Sequence, residues 1–256
     1  FERLQGRASV NAEQFADEIA TYKKGVEALP KSSTLKHELG MALLEAGKNS
    51  EGAKALVEAT ELAPNDPEIR TDAAYGLTVA GKFKEAKEQA SLAVSLAPES
   101  ADAFYNLGSA EAGLGNTKAA KDALDKALDI DDVHVPSLVE LGLIESAAGD
   151  DASAVKRFNR VLQVEPDDAR AKAGLGVSLA KLGADDPKAA ALLEQTVHVD
   201  PKNVQALAML GDVDERLGKL DDAIKRYQQL QKLRPTDARV KKRLDEIVAK
   251  KKAAKK

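Results

Sequence analysis

The sequence predicts an all-α chain of stacked helical hairpins, an α-solenoid, and three columns of residues predict it. Prolines recur at Pro30, Pro64, Pro98, Pro166, Pro201 and Pro235, at intervals of 34, 34, 68, 35 and 34 residues, with Asp132 on the empty beat. Gly40, Ala74, Gly108, Gly142, Gly176 and Gly211 keep the same period, as do Gly47, Gly81, Gly115, Gly149, Gly183 and Gly218. A fixed period of this length marks a repeat in which each unit is one hairpin, able to bury its apolar face only by stacking on its neighbours.

One period shows how the hairpin is written. Asp66 accepts hydrogen bonds from the first backbone N–H groups of a helix, and Pro67 suits its first position. The helix runs to about Ala80, and Gly81-Lys82 makes the turn because glycine tolerates the left-handed backbone that ends many helices. A second helix follows from about Lys84 to Leu96, with Ala86, Ala90, Ala93, Val94 and Ala97 on one stripe. Pro98 then closes the unit. Ser32, Asp66, Ser100, Asp168, Asn203 and Asp237 restart successive units as N-caps. The small columns, with Ala86, Ala120, Ala154, Ala189 and Ala223 in the second helices, let paired axes approach closely. Leu39, Leu107, Leu141, Leu175 and Leu210 supply the larger filling.

Composition agrees. Charged residues make up 31% and aromatics only 4%, with no Trp, a mixture that suits closely packed helices and not strands. No apolar run approaches the roughly 18 residues of a membrane span. The opening FERLQGRASV has no signal-peptide character, and its lack of Met leads us to expect a processed, truncated or omitted N-terminus. The absence of cysteine excludes disulfides, thiolate metal sites and cysteine nucleophiles. The composition has a bacterial character, and both cytoplasm and periplasm stay open. The net charge of −4 hides an asymmetry: residues 238–256 carry nine Lys/Arg against Asp245 and Glu246, so the body is acidic and the tail basic.

These columns resemble the tetratricopeptide repeat. Gly108, Gly115, Ala120, Ala127 and Asn106-Leu107-Gly108 follow that family's pattern, as do Leu141-Gly142, Phe158, Pro166, Leu210-Gly211, Ala223, Tyr227 and Pro235. The resemblance covers nearly the whole chain and implies a right-handed superhelix over residues 1–237. Its full units are 33–66, 67–100, 101–134, 135–168, 169–203 and 204–237. Residues 1–32 form a partial unit, with Phe15, Ile19, Tyr22, Val26 and Pro30 in its second helix, and 238–256 form a capping helix and basic tail. Three departures carry expectations. Gly52 in place of Ala loosens its helix by about 1 kcal/mol. The extra residue within Ala184-Asp185-Asp186-Pro187 lengthens an internal turn. The junction from Asp131 to Pro136, lacking the closing Pro, holds a change of angle and not a domain boundary.

Sites for chemistry are not apparent. His37, His134 and His198 stand in different repeats without ligand spacing, so surface or junction roles suit them and no metal or other cofactor is implied. Gly113-Leu114-Gly115-Asn116-Thr117-Lys118 faintly resembles a phosphate loop, but it lacks the preceding strand and the Gly-Lys-Ser/Thr. Asp185-Asp186 and Asp221-Asp222 fall at helix starts, where capping accounts for them. We expect no enzyme and no small-molecule substrate.

A second stripe runs along the first helices, at spacings of four and seven. It passes through His37, Met41 and Leu44, then Thr71, Tyr75 and Thr78, then Tyr105, Ser109 and Ala112, then Val139, Leu143 and Ser146. Ala173, Val177 and Ala180 continue it, and Ala208, Asp212 and Glu215 turn it acidic. The resemblance places that side in a concave groove where peptides or helices dock. Met41, Tyr75, Tyr105, Ser109, Val139, Leu143 and Val177 are therefore the candidate partner-binding residues, with the alternative that Val139, Leu143 and Val177 only fill gaps between helices. The family's chaperone adaptors clamp a C-terminal carboxylate with Lys, Asn, Asn, Lys and Arg. Here those places hold His37, Met41, Asp72, Asp102 and Asn106, and sliding the frame adds only an isolated Arg170, so that mode is disfavoured.

The expectation is thus a non-enzymatic scaffold or adaptor that binds a protein segment and supports assembly of a larger complex. One alternative anchors the chain to membrane or nucleic acid through Arg239, Lys241, Lys242, Arg243, Lys250, Lys251, Lys252, Lys255 and Lys256, although Val240, Leu244, Ile247 and Val248 also fit a plain capping helix. Another makes it the adaptor portion of a longer enzyme. The oligomeric state stays open.

Overall fold

The computed structural model describes residues 12–254 and, among them, holds fourteen α-helices and no strand. Helix α1 (Ala12–Ala28) precedes six hairpins. These are α2 (Ser33–Glu45) with α3 (Asn49–Leu62), α4 (Pro67–Val79) with α5 (Phe83–Leu96), α6 (Ala101–Gly113) with α7 (Thr117–Ile130), α8 (Val135–Ala147) with α9 (Asp151–Val164), α10 (Ala169–Leu182) with α11 (Asp186–Val199), and α12 (Val204–Arg216) with α13 (Leu220–Leu233). Helix α14 (Ala238–Ala253) follows. Among the described residues no helix is long and apolar enough to cross a membrane.

The chain divides into two compact units, the first reaching Ser137 and the second starting at Leu138, within α8. The division lies beside the junction for which the sequence leads us to expect a change of angle and not a boundary. At that junction the closing turn is kept without the proline. The Val133 N–H donates to the Asp131 carboxylate at 3.1 Å, and the His134 N–H donates to the Asp131 carbonyl at 3.1 Å. The backbone bond recurs at the proline junctions, as from Ser100 to Ala97, and the side-chain bond recurs from Lys202 to Asp200 beside Pro201, so the turn forms with or without the proline.

Six predicted N-caps are in place. The side chains of Ser32, Asp66, Ser100, Asp168, Asn203 and Asp237 each accept a backbone N–H of the helix they precede. The turn glycines all have positive φ, between 61° and 86°, a region costly for residues with a Cβ. The small column works by close approach: a methyl group added at Gly108 would lie 2.7 Å from the Leu124 side chain. The first unit's core centres on Leu56, Leu77 and Leu124, and the second's on Phe158, Leu175, Leu193 and Leu207, all fully buried or nearly so.

Two departures resolve differently from expectation. Gly52 is no loose spot in α3, because a Cβ there would meet the Gly40 carbonyl oxygen and the Leu44 side chain at 2.8 Å. It lets α3 approach α2, which opposes its low helix propensity. The extra residue of the fifth hairpin does not lengthen the turn. Helix α10 is 14 residues where α4 and α6 are 13, and Gly183 enters the left-handed region directly as its C-cap.

Candidate functional site

In the first unit, α2, α4 and α6 turn one face toward a hollow of about 330 Å3. Met41, Tyr75 and Tyr105 line it together with Glu68, Asp72, Asp102 and Asn106. Met41 and Tyr75 pack on the buried cluster of Leu44, Leu56 and Ala73, so their outer surfaces form a floor on rigid helices. Both tyrosines are half-buried.

The polar residues around this floor are tied to neighbouring first helices. His37 meets Asp72 at 2.7 Å, and that hydrogen bond raises the imidazole pKa above its usual value despite burial. Asn106, the one residue matching the chaperone-tail pattern, donates to the Thr71 carbonyl at 3.0 Å while buried, so it holds α6 to α4. His134 stands on the N-cap beat, 34 residues after Ser100, a position the sequence reading leaves unnoticed. Its Nδ1 lies 3.4 Å from the Ser137 N–H and accepts from it, so Nε2 carries the proton directed at Asp102, 3.1 Å away. That bond holds the Asp102 carboxyl below its usual range. The imidazole also lies 5.7 Å from the Tyr105 ring, centre to centre, and so fixes one wall of the hollow.

The seven candidate residues do not form one surface. Met41, Tyr75 and Tyr105 converge in this hollow, while Ser109, half-buried on α6, lies outside its lining. Val139 is fully buried and presents no side chain to a ligand. Leu143 and Val177 line a separate hollow of about 340 Å3 in the second unit, with Phe158, Gly174, Arg170 and Lys181. Leu143 is 44% exposed and Val177 is buried, so of the three aliphatics only Leu143 reaches far into solvent. Lys181 donates to the Ser146 carbonyl at 2.8 Å and lies 3.3 Å from Asp151.

The basic C-terminal segment is drawn back onto its own unit. The Arg243 guanidinium donates to Asp212 at 3.0 Å and also to Glu215. Lys250 meets Glu215 at 2.9 Å, and Lys251 pairs with Asp221. The acidic end of the groove stripe is therefore neutralised by α14. Lys241, Lys242 and Lys252 remain exposed, and Lys255 and Lys256 lie outside the described residues.

Sequence reasoning also passed over a column of buried acids three residues after the small column. Glu111 is met by Lys87 at 2.7 Å and by Asn116 at 2.7 Å. Burial alone would raise its pKa, but those bonds outweigh it and hold the carboxyl low. Glu145 faces Arg157 at 3.4 Å. Asp214 is almost fully buried with the Arg226 Nε 3.9 Å away and no hydrogen bond among the described residues, and burial pushes its pKa up. The signal was available, since Leu43, Leu77 and Leu179 hold the same place in other hairpins. Among the described residues no group of three or more His, Cys, Asp or Glu is placed to hold a metal ion.

Three tetratricopeptide repeat family models match the chain, over residues 101–134, 139–186 and 187–244. No curated protein matches it in sequence. Among solved structures it is similar to a chain of the APC/C hetero-tetramer Cut9-Hcn1, at 18% identity and a TM-score of 0.78, over 91% of this chain and 46% of that one. The chain thus spans under half the length of that relative. It is also similar to pilF of Pseudomonas aeruginosa, at 18% identity and a TM-score of 0.71, covering 85% and 97%. YrrB, described as a TPR protein with an unusual peptide-binding site, matches at 22% identity and a TM-score of 0.50, covering 73% and 95%.

Proposed function

The chain belongs to the tetratricopeptide repeat family, and from that premise we propose that it is a non-enzymatic scaffold whose first-unit groove holds a peptide or helix of a protein partner. Holding that segment would support assembly of a larger complex. The observation that carries the reading is the hollow floored by Met41, Tyr75 and Tyr105 on three successive first helices. Half-buried aromatics backed by a packed core supply contact area at low entropic cost, the usual make-up of an interface anchor. The peptide-binding site named for YrrB is in keeping with this use of the fold. The pairing of Arg243, Lys250 and Lys251 with α12 and α13 carboxylates weighs against the basic tail as the main anchor.

Tyr75→Glu with Tyr105→Glu should abolish capture of the partner by immobilised protein, read by mass spectrometry, with helicity and melting unchanged. Undiminished capture by the double variant would sink the proposal.

A further inference from the structure

Every charged side chain lining the first unit's hollow, among the described residues, is a carboxylate: Glu68, Asp72 and Asp102. A recess of about 580 Å3 shares Met41, Glu68 and Asp72 with it and continues along α2 past Glu38. No Lys or Arg lines either one among the described residues, and His37 is already bonded to Asp72. The second unit's hollow has the opposite sign, with Arg170 and Lys181 as its charged lining residues. The negative sign is therefore a property of this groove and not of every hollow in the chain.

Resting on the groove reading above, the geometry points to one class of occupant: a partner segment rich in Lys or Arg that carries spaced aliphatic side chains. The aliphatics take the floor of Met41, Tyr75 and Tyr105. The cations face Glu68 and Asp102 at the rim, and their methylene stems lie along the tyrosine rings, where a cation is also drawn to the ring face. A concave site lined by one sign of charge concentrates ligands of the other and repels like ones. An acidic segment or a C-terminal carboxylate is excluded on that ground.

Three labelled peptides with the same leucine spacing, separated by Lys, Gln or Glu, test this by fluorescence anisotropy with the full chain. The Lys peptide should bind at least about tenfold more tightly than the Gln peptide, and the Glu peptide should not bind detectably. Raising the salt should remove most of that advantage, because exposed charges are screened within about 8 Å at physiological ionic strength. Glu68→Gln should weaken the Lys peptide about threefold and leave the Gln peptide unchanged. Adding Asp102→Asn should deepen the loss for the Lys peptide more than for the Gln peptide, since that carboxylate also holds His134 beside Tyr105. Equal binding of the three peptides, or preference for Glu, overturns the charge assignment and leaves the groove reading standing. Binding of none, or binding that survives Tyr75→Ser with Tyr105→Ser, which leaves the charge of the groove unchanged, overturns both. Concentration-dependent self-association that disappears when residues 252–256 are deleted would make the chain's own tail the occupant and also overturn the proposal.

Discussion

The two units use one hairpin plan to build hollows of opposite character. In the first, Met41 and Tyr75 pack on Leu44, Leu56 and Ala73, and with Tyr105 they line a hollow among carboxylates. In the second, Phe158 fills the space beneath Gly174, where an added Cβ would lie 2.3 Å from its ring, and the hollow above carries cations. The acids of the last hairpin, Asp212 and Glu215, are taken up by Arg243 and Lys250. The contrast teaches that a repeat's shared columns build the stack, while the free positions of its first helices decide what each stretch offers to a partner.

The strongest way to break this comparison is to release the second unit's acids. Arg243→Ala removes bonds to Asp212 and Glu215, with Tyr227 hydrogen-bonded to the same Asp212 at 2.8 Å. We expect the second unit to lose about 2 kcal/mol and hydrogen exchange in α12 and α13 to quicken, with α2 to α6 unchanged. Equal quickening in both units would show that α14 does not act locally.

Gly52→Ala tests whether the first unit depends on close backbone approach. Helix propensity alone predicts a gain of about 1 kcal/mol. The contact with the Gly40 carbonyl predicts a loss of about 2 kcal/mol instead, measured by denaturant unfolding. A gain would restore the propensity argument.

Smaller effects of opposite sign should separate the buried acids. Glu111 has its pKa lowered on folding, so its bonds stabilise above its unfolded value of 4.5 and are lost as pH falls through the folded one. Glu111→Gln should cost about 1 kcal/mol at pH 7, and that cost should shrink below pH 4.5. Asp214 is the reverse. Its raised pKa means the folded chain carries a penalty at neutral pH that is relieved as pH falls toward the unfolded 3.8. Asp214→Asn should gain about 1 kcal/mol at pH 7 and nothing near pH 3.8, by urea unfolding at each pH. A cost for Asp214→Asn at pH 7 would mean that Arg226 compensates the buried charge.

Much of the hairpin plan was legible because it rests on local chemistry. A capping Asp66 or Ser100 needs only the next turn of backbone, and a turn glycine such as Gly81 needs only its own φ. The candidate site was legible in part. Tyr75 and Tyr105 announce themselves as the two tyrosines on the stripe of the first helices. His134 did not, because its place beside the hollow depends on Asp102, which only the stacking of helices brings to its Nε2. Gly52 misled for a similar reason: its neighbour across the hairpin is a carbonyl oxygen that no spacing rule records.

By itself the sequence determined the period, the caps, the turns and the helix faces, since each follows from interactions within one or two helical turns. Tertiary structure alone decided which stripe residues meet. It brought Met41, Tyr75 and Tyr105 into one hollow, buried Val139, and turned the basic tail back onto Asp212 and Glu215. Those outcomes depend on side chains some 30 residues apart competing for the same space and charge, which a 34-residue period makes possible but does not specify.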